Sequence, residues 1–136
     1  MSWVSQEWLE SVDDVIREDT LHALDDLRRE RGEVFWEALE LISRADPEGL
    51  LGMGAPPGEY EPEARTIYPR LAEARSTQDV RRIVEEEFRR WFGTAYEEHG
   101  AVSIDEDYHI SNPDTDLDAL AAAIWRAWNK QSRAEG

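Results

Sequence analysis

Apolar residues in this chain recur three and four positions apart in almost every stretch free of glycine and proline, and that spacing commits most of the chain to helix. Trp8, Leu9, Val12, Val15 and Ile16 follow one face of a first helix, which Ser2 or Ser5 could cap. Leu21, Leu24, Leu27, Val34, Phe35, Ala38, Leu39 and Ile42 hold one phase across Gly32, so this segment reads either as one long helix with a weak point or as two broken there. Glycine costs about 1 kcal/mol in a helix interior, which leaves both open. Asp19 or Thr20 is placed to cap its start.

A different chemistry begins at Asp46. The run Asp46-Pro47-Glu48-Gly49-Leu50-Leu51-Gly52-Met53-Gly54-Ala55-Pro56-Pro57-Gly58 breaks both helix and sheet. Its Leu50, Leu51 and Met53 predict a loop packed on the body, with Tyr60 holding it to the core. Pro62 suits the first turn of the next helix, Ala64, Ile67, Tyr68 and Leu71 continue it, and Pro69 should kink or split it. Ser76, with Asp79 three residues on, reads as the start of a further helix whose stripe is Val80, Ile83, Val84, Phe88, Trp91 and Phe92. That helix ends at Gly93 or Gly100. A polar connector follows to Pro113, with a short extended piece at Ala101 to Ile104. Asp114 or Asp116 caps a last helix with the face Leu117, Leu120, Ala121, Ile124, Trp125 and Trp128. The expected fold is all-α: a single domain over residues 1–136, a bundle of about five helices (six if Gly32 breaks the second) with an ordered Gly/Pro-rich loop.

Residues Asp46-Pro47-Glu48-Gly49-Leu50, Gly54-Ala55-Pro56 and Glu59-Tyr60-Glu61-Pro62-Glu63 together resemble a domain-of-unknown-function family of small uncharacterised bacterial helical proteins. That family shows an Asp-Pro-x-Gly-Leu turn, a Gly-Ala-Pro-like loop and a Glu-Tyr-x-Pro-Glu helix start. Phe88-Arg89-Arg90-Trp91-Phe92-Gly93 is similar to the aromatic end of the same module, so the resemblance covers roughly residues 46–93. It implies a small all-helical domain and no particular activity.

Charge narrows the function further. With 31 acidic and 15 basic residues the net charge is −16, which disfavours nucleic acid and anionic membranes, since both demand clustered Lys and Arg. Such acidity serves solubility, reflects a halophilic or GC-rich source, or steers a cationic partner. Between Arg90 and Arg126 there is no Lys or Arg, while Glu97, Glu98, Asp105, Glu106, Asp107, Asp114, Asp116 and Asp118 all fall in that interval. Elsewhere acids and arginines mix as on ordinary solvated helices. A single-sign block on a connector is either a solvated loop or a docking surface for a basic protein, with Tyr96 and Tyr108 as amphipathic contacts. Trp3 and Trp36, off the main stripes, are candidates for exposed contact or for edge-of-core packing.

Chemistry has little to stand on. Cysteine is absent, which removes disulfides, thiol nucleophiles and thiolate metal sites. Asp114, Asp116 and Asp118 alternate like a calcium loop, but Ala119 stands where glycine is needed and Trp125 where glutamate is. His22, His99 and His109 match no metal-ligand spacing, and neither a Gly-x-Ser-x-Gly elbow nor a phosphate-binding glycine motif occurs. No metal or cofactor is expected, and the enzyme reading rests on no positive motif. Residues 1–10 lack a basic start and an apolar run, and nowhere do eighteen apolar residues follow one another, so a cytoplasmic protein without a membrane span is expected. The leading expectation is an acidic protein-binding module, an immunity-protein- or antitoxin-like inhibitor of a basic partner, binding through Glu97, Glu98, Asp105, Glu106, Asp107, Tyr108, Asp114 and Asp116. Two alternatives stand beside it. One is a self-associating structural or adaptor protein, for which a homodimer is compatible. The other is a small-molecule-binding domain using the Gly54 to Tyr60 loop through Gly54, Pro56, Glu59 and Tyr60.

Overall fold

A computed structural model describes residues 6–96, 102–105 and 107–135. Six α-helices run in the order α1 (Gln6–Ser11), α2 (Asp14–Arg31), α3 (Glu33–Ala45), α4 (Glu61–Ile67), α5 (Thr77–Phe92) and α6 (Leu117–Glu135). A 3₁₀ turn (Tyr68–Glu73) follows α4, and a small antiparallel hairpin, β1 (Thr94–Tyr96) with β2 (Val102–Ile104), follows α5. The protein is an all-α, single-domain bundle to which that hairpin is a minor appendage.

The first helical stripe does not run through as expected. Helix α1 ends at Ser11, and the Asp13 carboxylate accepts the Ile16 amide at 3.0 Å, capping a new helix. That restart turns Val15 and Ile16 outward in the first turn of α2, while Trp8 alone of α1 is buried. It also places Asp19 and Thr20 inside α2 rather than at its start. Ser2, Trp3 and Ser5 lie outside the described residues.

Gly32 divides the next stripe into two helices. Its φ of +91° is open to glycine and strained for other residues, so the chain turns a corner there. The Arg28 guanidinium braces that corner by donating to both Glu33 carboxylate oxygens at 2.8 and 2.9 Å. Beyond it, Phe35, Trp36, Ala38, Leu39 and Ile42 of α3 are all buried; Trp36 is core, with Arg28 stacked over its ring.

Pro62 occupies the first turn of α4, where its missing N–H is no loss. Pro69 cannot continue the α-helical ladder, and from Tyr68 the helix tightens into the 3₁₀ turn. Tyr68 then packs edge-on between Phe35 and Trp128, tying α3 to α6. Ser76 caps α5 through the Asp79 amide, and Asp79 returns a bond to the Arg75 amide, so the reciprocal cap sits one residue early. Asp116 caps α6 through the Ala119 amide. Leu120, Ala121 and Ile124 of α6 close against Val80, Ile83, Val84 and Phe88 of α5 and against α3, and this triangle is the core.

Candidate functional site

The Gly/Pro-rich segment is built around one carboxylate and one phenol. Asp46 ends α3 in the left-handed region (φ +48°), a conformation aspartate tolerates when its side chain finds local donors. Here it accepts from the Leu51 amide at 3.1 Å, the Gly52 amide at 2.9 Å and the Tyr60 hydroxyl at 2.5 Å. The Tyr60 hydroxyl in turn accepts from the Glu48 amide at 3.0 Å, and the whole side chain is 0% exposed. Burial, reinforced by Asp46, pushes the Tyr60 phenol well above its ordinary range. Of the loop candidates, then, Tyr60 is a structural post. Gly54 holds a positive φ at an exposed turn. Pro56 and Glu59 reach the surface, where with Pro57, Leu24, Leu27 and Arg65 they line an open cleft of about 530 Å³ between the loop and α2. Gly58 belongs there for a steric reason: a Cβ would meet Leu24 at 3.0 Å.

Two carboxyl groups are buried near this loop. Glu48 is 8% exposed and accepts from the Ser111 hydroxyl at 2.7 Å, leaving its other oxygen without a partner. Glu63, 4% exposed, also carries one oxygen without a partner. Burial raises both pKa values, and Glu59, Glu61 and Glu48 push Glu63 the same way. Neither lines the loop cleft.

The connector ahead of α6 is pinned at both ends. At one end the Asp105 amide donates to the Gly93 carbonyl at 2.8 Å, and the Asp105 carboxylate accepts from the Asp107 amide at 3.0 Å. At the other, Thr115 donates to the Ala45 carbonyl at 2.6 Å and the Asn112 side chain to the Asp46 carbonyl at 2.9 Å. Those two carbonyls are among the acceptors a helix C-terminus leaves open, so the connector completes α3. This arrangement holds Asp105, Asp107, Asp114 and Asp116 at the surface on a fixed backbone, all four exposed. Asp116 doubles as the α6 cap, and with Arg81 and Asp118 it borders a concavity of about 310 Å³. Tyr108 is half-buried, its ring set over Gly93 and its hydroxyl buried without a partner. Glu97, Glu98, His99, Gly100 and Glu106 lie outside the described residues.

Ion pairing is unevenly spread over the described residues. Across the helices, arginines meet acids close by in sequence or on neighbouring turns: Arg28 with Glu33, Arg44 with Glu40, Arg82 with Glu86. Glu87, almost wholly buried in α5, is held by Arg70 at 3.0 Å and Arg90 at 3.4 Å. Among the described residues, the acidic block joins this network through one pair, Arg81 with Asp118.

Beside the block lies a feature the periodicity misplaced. Trp91 and Phe92 continue the α5 stripe and were expected in the core, yet both are exposed. Phe88 is fully buried, and one turn later Phe92 stacks on it with one side open. Gly93, one residue on, was the available signal that the helix ends there. Among the described residues no group of three or more His, Asp or Glu is placed to hold a metal ion. No described helix is long and apolar enough to cross a membrane. Comparison of the chain with known protein families, curated proteins and solved structures returned no match.

Proposed function

We propose that this protein is a cytoplasmic binding module that docks a basic protein on its acidic connector, in the manner of an immunity protein or antitoxin. The observation that carries the reading is the contrast in ion pairing. Several helix carboxylates, Glu33, Glu40, Glu86 and Glu87 among them, have arginines beside them, whereas Asp105, Asp107, Asp114 and Asp116 stand exposed on a stretch with no Lys or Arg of its own. Like charges gathered on a pinned backbone repel one another, and a cationic surface relieves that repulsion. A module of this kind works by occlusion, its carboxylates pairing with Lys and Arg that would otherwise grip phosphates. Encounter is fast and salt-sensitive, and apolar contacts then set the lifetime of the complex. Kinship with the bacterial helical family resembled by residues 46–93 is part of the same proposal.

The test neutralises the block without disturbing its architecture. Asparagine keeps the side-chain oxygen that caps α6 at Asp116 and closes the turn at Asp105, so Asp→Asn changes charge and little else. Affinity capture at low salt, with wild type beside a variant carrying Asp→Asn at 105, 107, 114 and 116, should retain one basic protein on the wild type only. Equal retention by both, or binding indifferent to salt, makes the block a solvated surface and refutes the proposal.

A further inference from the structure

We infer that Trp91 and Phe92 form the apolar centre of this docking face, and that the partner segment seated there carries an apolar side chain flanked by arginine or lysine. This rests on the reading of the acidic connector as a surface for a basic protein. Trp91 is 45% exposed and Phe92 is 37% exposed, side by side in the last turn of α5. Neither is loose. The Trp91 indole N–H donates to the Thr66 hydroxyl of α4 at 3.0 Å, which satisfies its one polar group and fixes the ring. Phe92 stacks on the buried Phe88, with ring centroids 5.8 Å apart and planes 17° from parallel. Aromatic side chains already held in place lose little freedom on docking, and this is the character of residues that dominate interfaces.

Position supplies the partner's chemistry. Gly93 follows Phe92 directly, and its carbonyl takes the Asp105 amide at 2.8 Å. That bond sets the start of the acidic connector against the end of the aromatic pair, with Tyr108 packed down on the same glycine. The aromatic pair and the Asp105 and Asp107 carboxylates therefore share one end of the bundle, as an apolar centre and a charged rim. Two cations precede them, Arg89 and Arg90. Arg90 is paired with Glu87 and Arg89 is half-buried, while on the connector side the exposed Asp105 and Asp107 supply the negative charge. A second copy of this chain would bring the same excess of carboxylates against itself, at −16 per copy. A basic segment meets no such opposition.

The experiment uses the full chain and two synthetic peptides of equal length and equal arginine content, one alternating arginine with leucine, the other arginine with serine. Binding is followed through the Trp91 indole N–H resonance, assigned by its loss in Trp91→Phe, and by calorimetry. The leucine peptide should bind about tenfold more tightly than the serine peptide and shift the Trp91 resonance. The paired change Trp91→Ala and Phe92→Ala should bring the leucine peptide down to the serine peptide's affinity while leaving the salt dependence of both. Trp91→Phe, which keeps an aromatic face, should retain part of the difference, and an unchanged thermal transition certifies the fold of each variant. Equal affinity for the two peptides with a still Trp91 resonance overturns this inference and leaves the charge reading standing. Failure of both peptides to bind in a salt-dependent way overturns the charge reading and this inference with it. A Trp91 resonance that moves with protein concentration alone assigns the patch to a second copy, which also overturns it.

Discussion

Replacing Tyr60 with phenylalanine removes one oxygen atom from the core and leaves the ring's packing in place. The hydroxyl donates to the Asp46 carboxylate at 2.5 Å and accepts the Glu48 amide at 3.0 Å, with the Leu50 amide marginal at 3.4 Å. A hydrogen bond to a charged acceptor contributes about 1.5–3 kcal/mol, and a buried amide left without a partner costs about 1–3 kcal/mol. Both consequences follow here, because Glu48 is buried and the bond from its amide to the hydroxyl lies in the interior. Allowing for partial relaxation of the loop, Tyr60→Phe should destabilise the fold by about 3 kcal/mol. With roughly 2.1 cal/mol/K of unfolding entropy per residue, a chain of 136 residues melts about 10 °C lower. Thermal and urea unfolding followed by circular dichroism measure this directly, and the urea slope should stay constant because the same surface is exposed. Asp46→Ala removes the other half of the pair, so the double variant should be less destabilised than the sum of the singles, by at least about 1 kcal/mol. A Tyr60→Phe change within about 0.5 kcal/mol of wild type, or strict additivity with Asp46→Ala, would refute the account of the loop as hung on this hydroxyl.

Glu63 should make stability depend on pH in an unusual direction for an acid. Because burial raises its pKa in the folded chain, the folded state holds the proton more tightly; that contribution is complete below the unfolded value of about 4.3 and is lost as pH rises through the folded one. Glu63→Gln should therefore gain on wild type between pH 4 and pH 8, read as urea midpoints; a difference that stays flat across that range counts against it. Arg70→Met should cost about 3 kcal/mol, since it strips the nearer cation from the buried Glu87, and Glu87→Gln in the same chain should recover much of the loss. If Arg70→Met alone unfolds at the wild-type midpoint, Glu87 is satisfied by Arg90 and the reasoning fails.

Where the sequence carried a local signal, the reading transferred to the structure. Ser76, Pro62, Pro69 and Asp116 act through the backbone groups immediately around them, so their effects on helix starts and breaks need no knowledge of the rest of the chain. Periodicity likewise marked Leu120, Ala121 and Ile124 as a buried face, because a regular helix turns its spacing into a stripe. Three-residue pairing in the β1–β2 hairpin was visible only as one extended piece, for the partner strand has no signal of its own until the chain folds back.

How far each stripe was covered, however, was decided elsewhere. Trp91 and Phe92 have the phase of Phe88 yet stay partly open to solvent, and Trp36 has a poorer phase yet is buried. The acidic block could be counted from the sequence, but its pinning to Gly93, and across tens of residues to Ala45 and Asp46, depends on where α3 and α5 end in space. Sequence by itself determined which segments are helical and, apart from the restart at Asp13, where most of them begin, since those follow from contacts within a turn or two. Only the tertiary structure decided which apolar faces find a neighbour and which carboxylates find a cation, because both depend on groups brought together from distant parts of the chain.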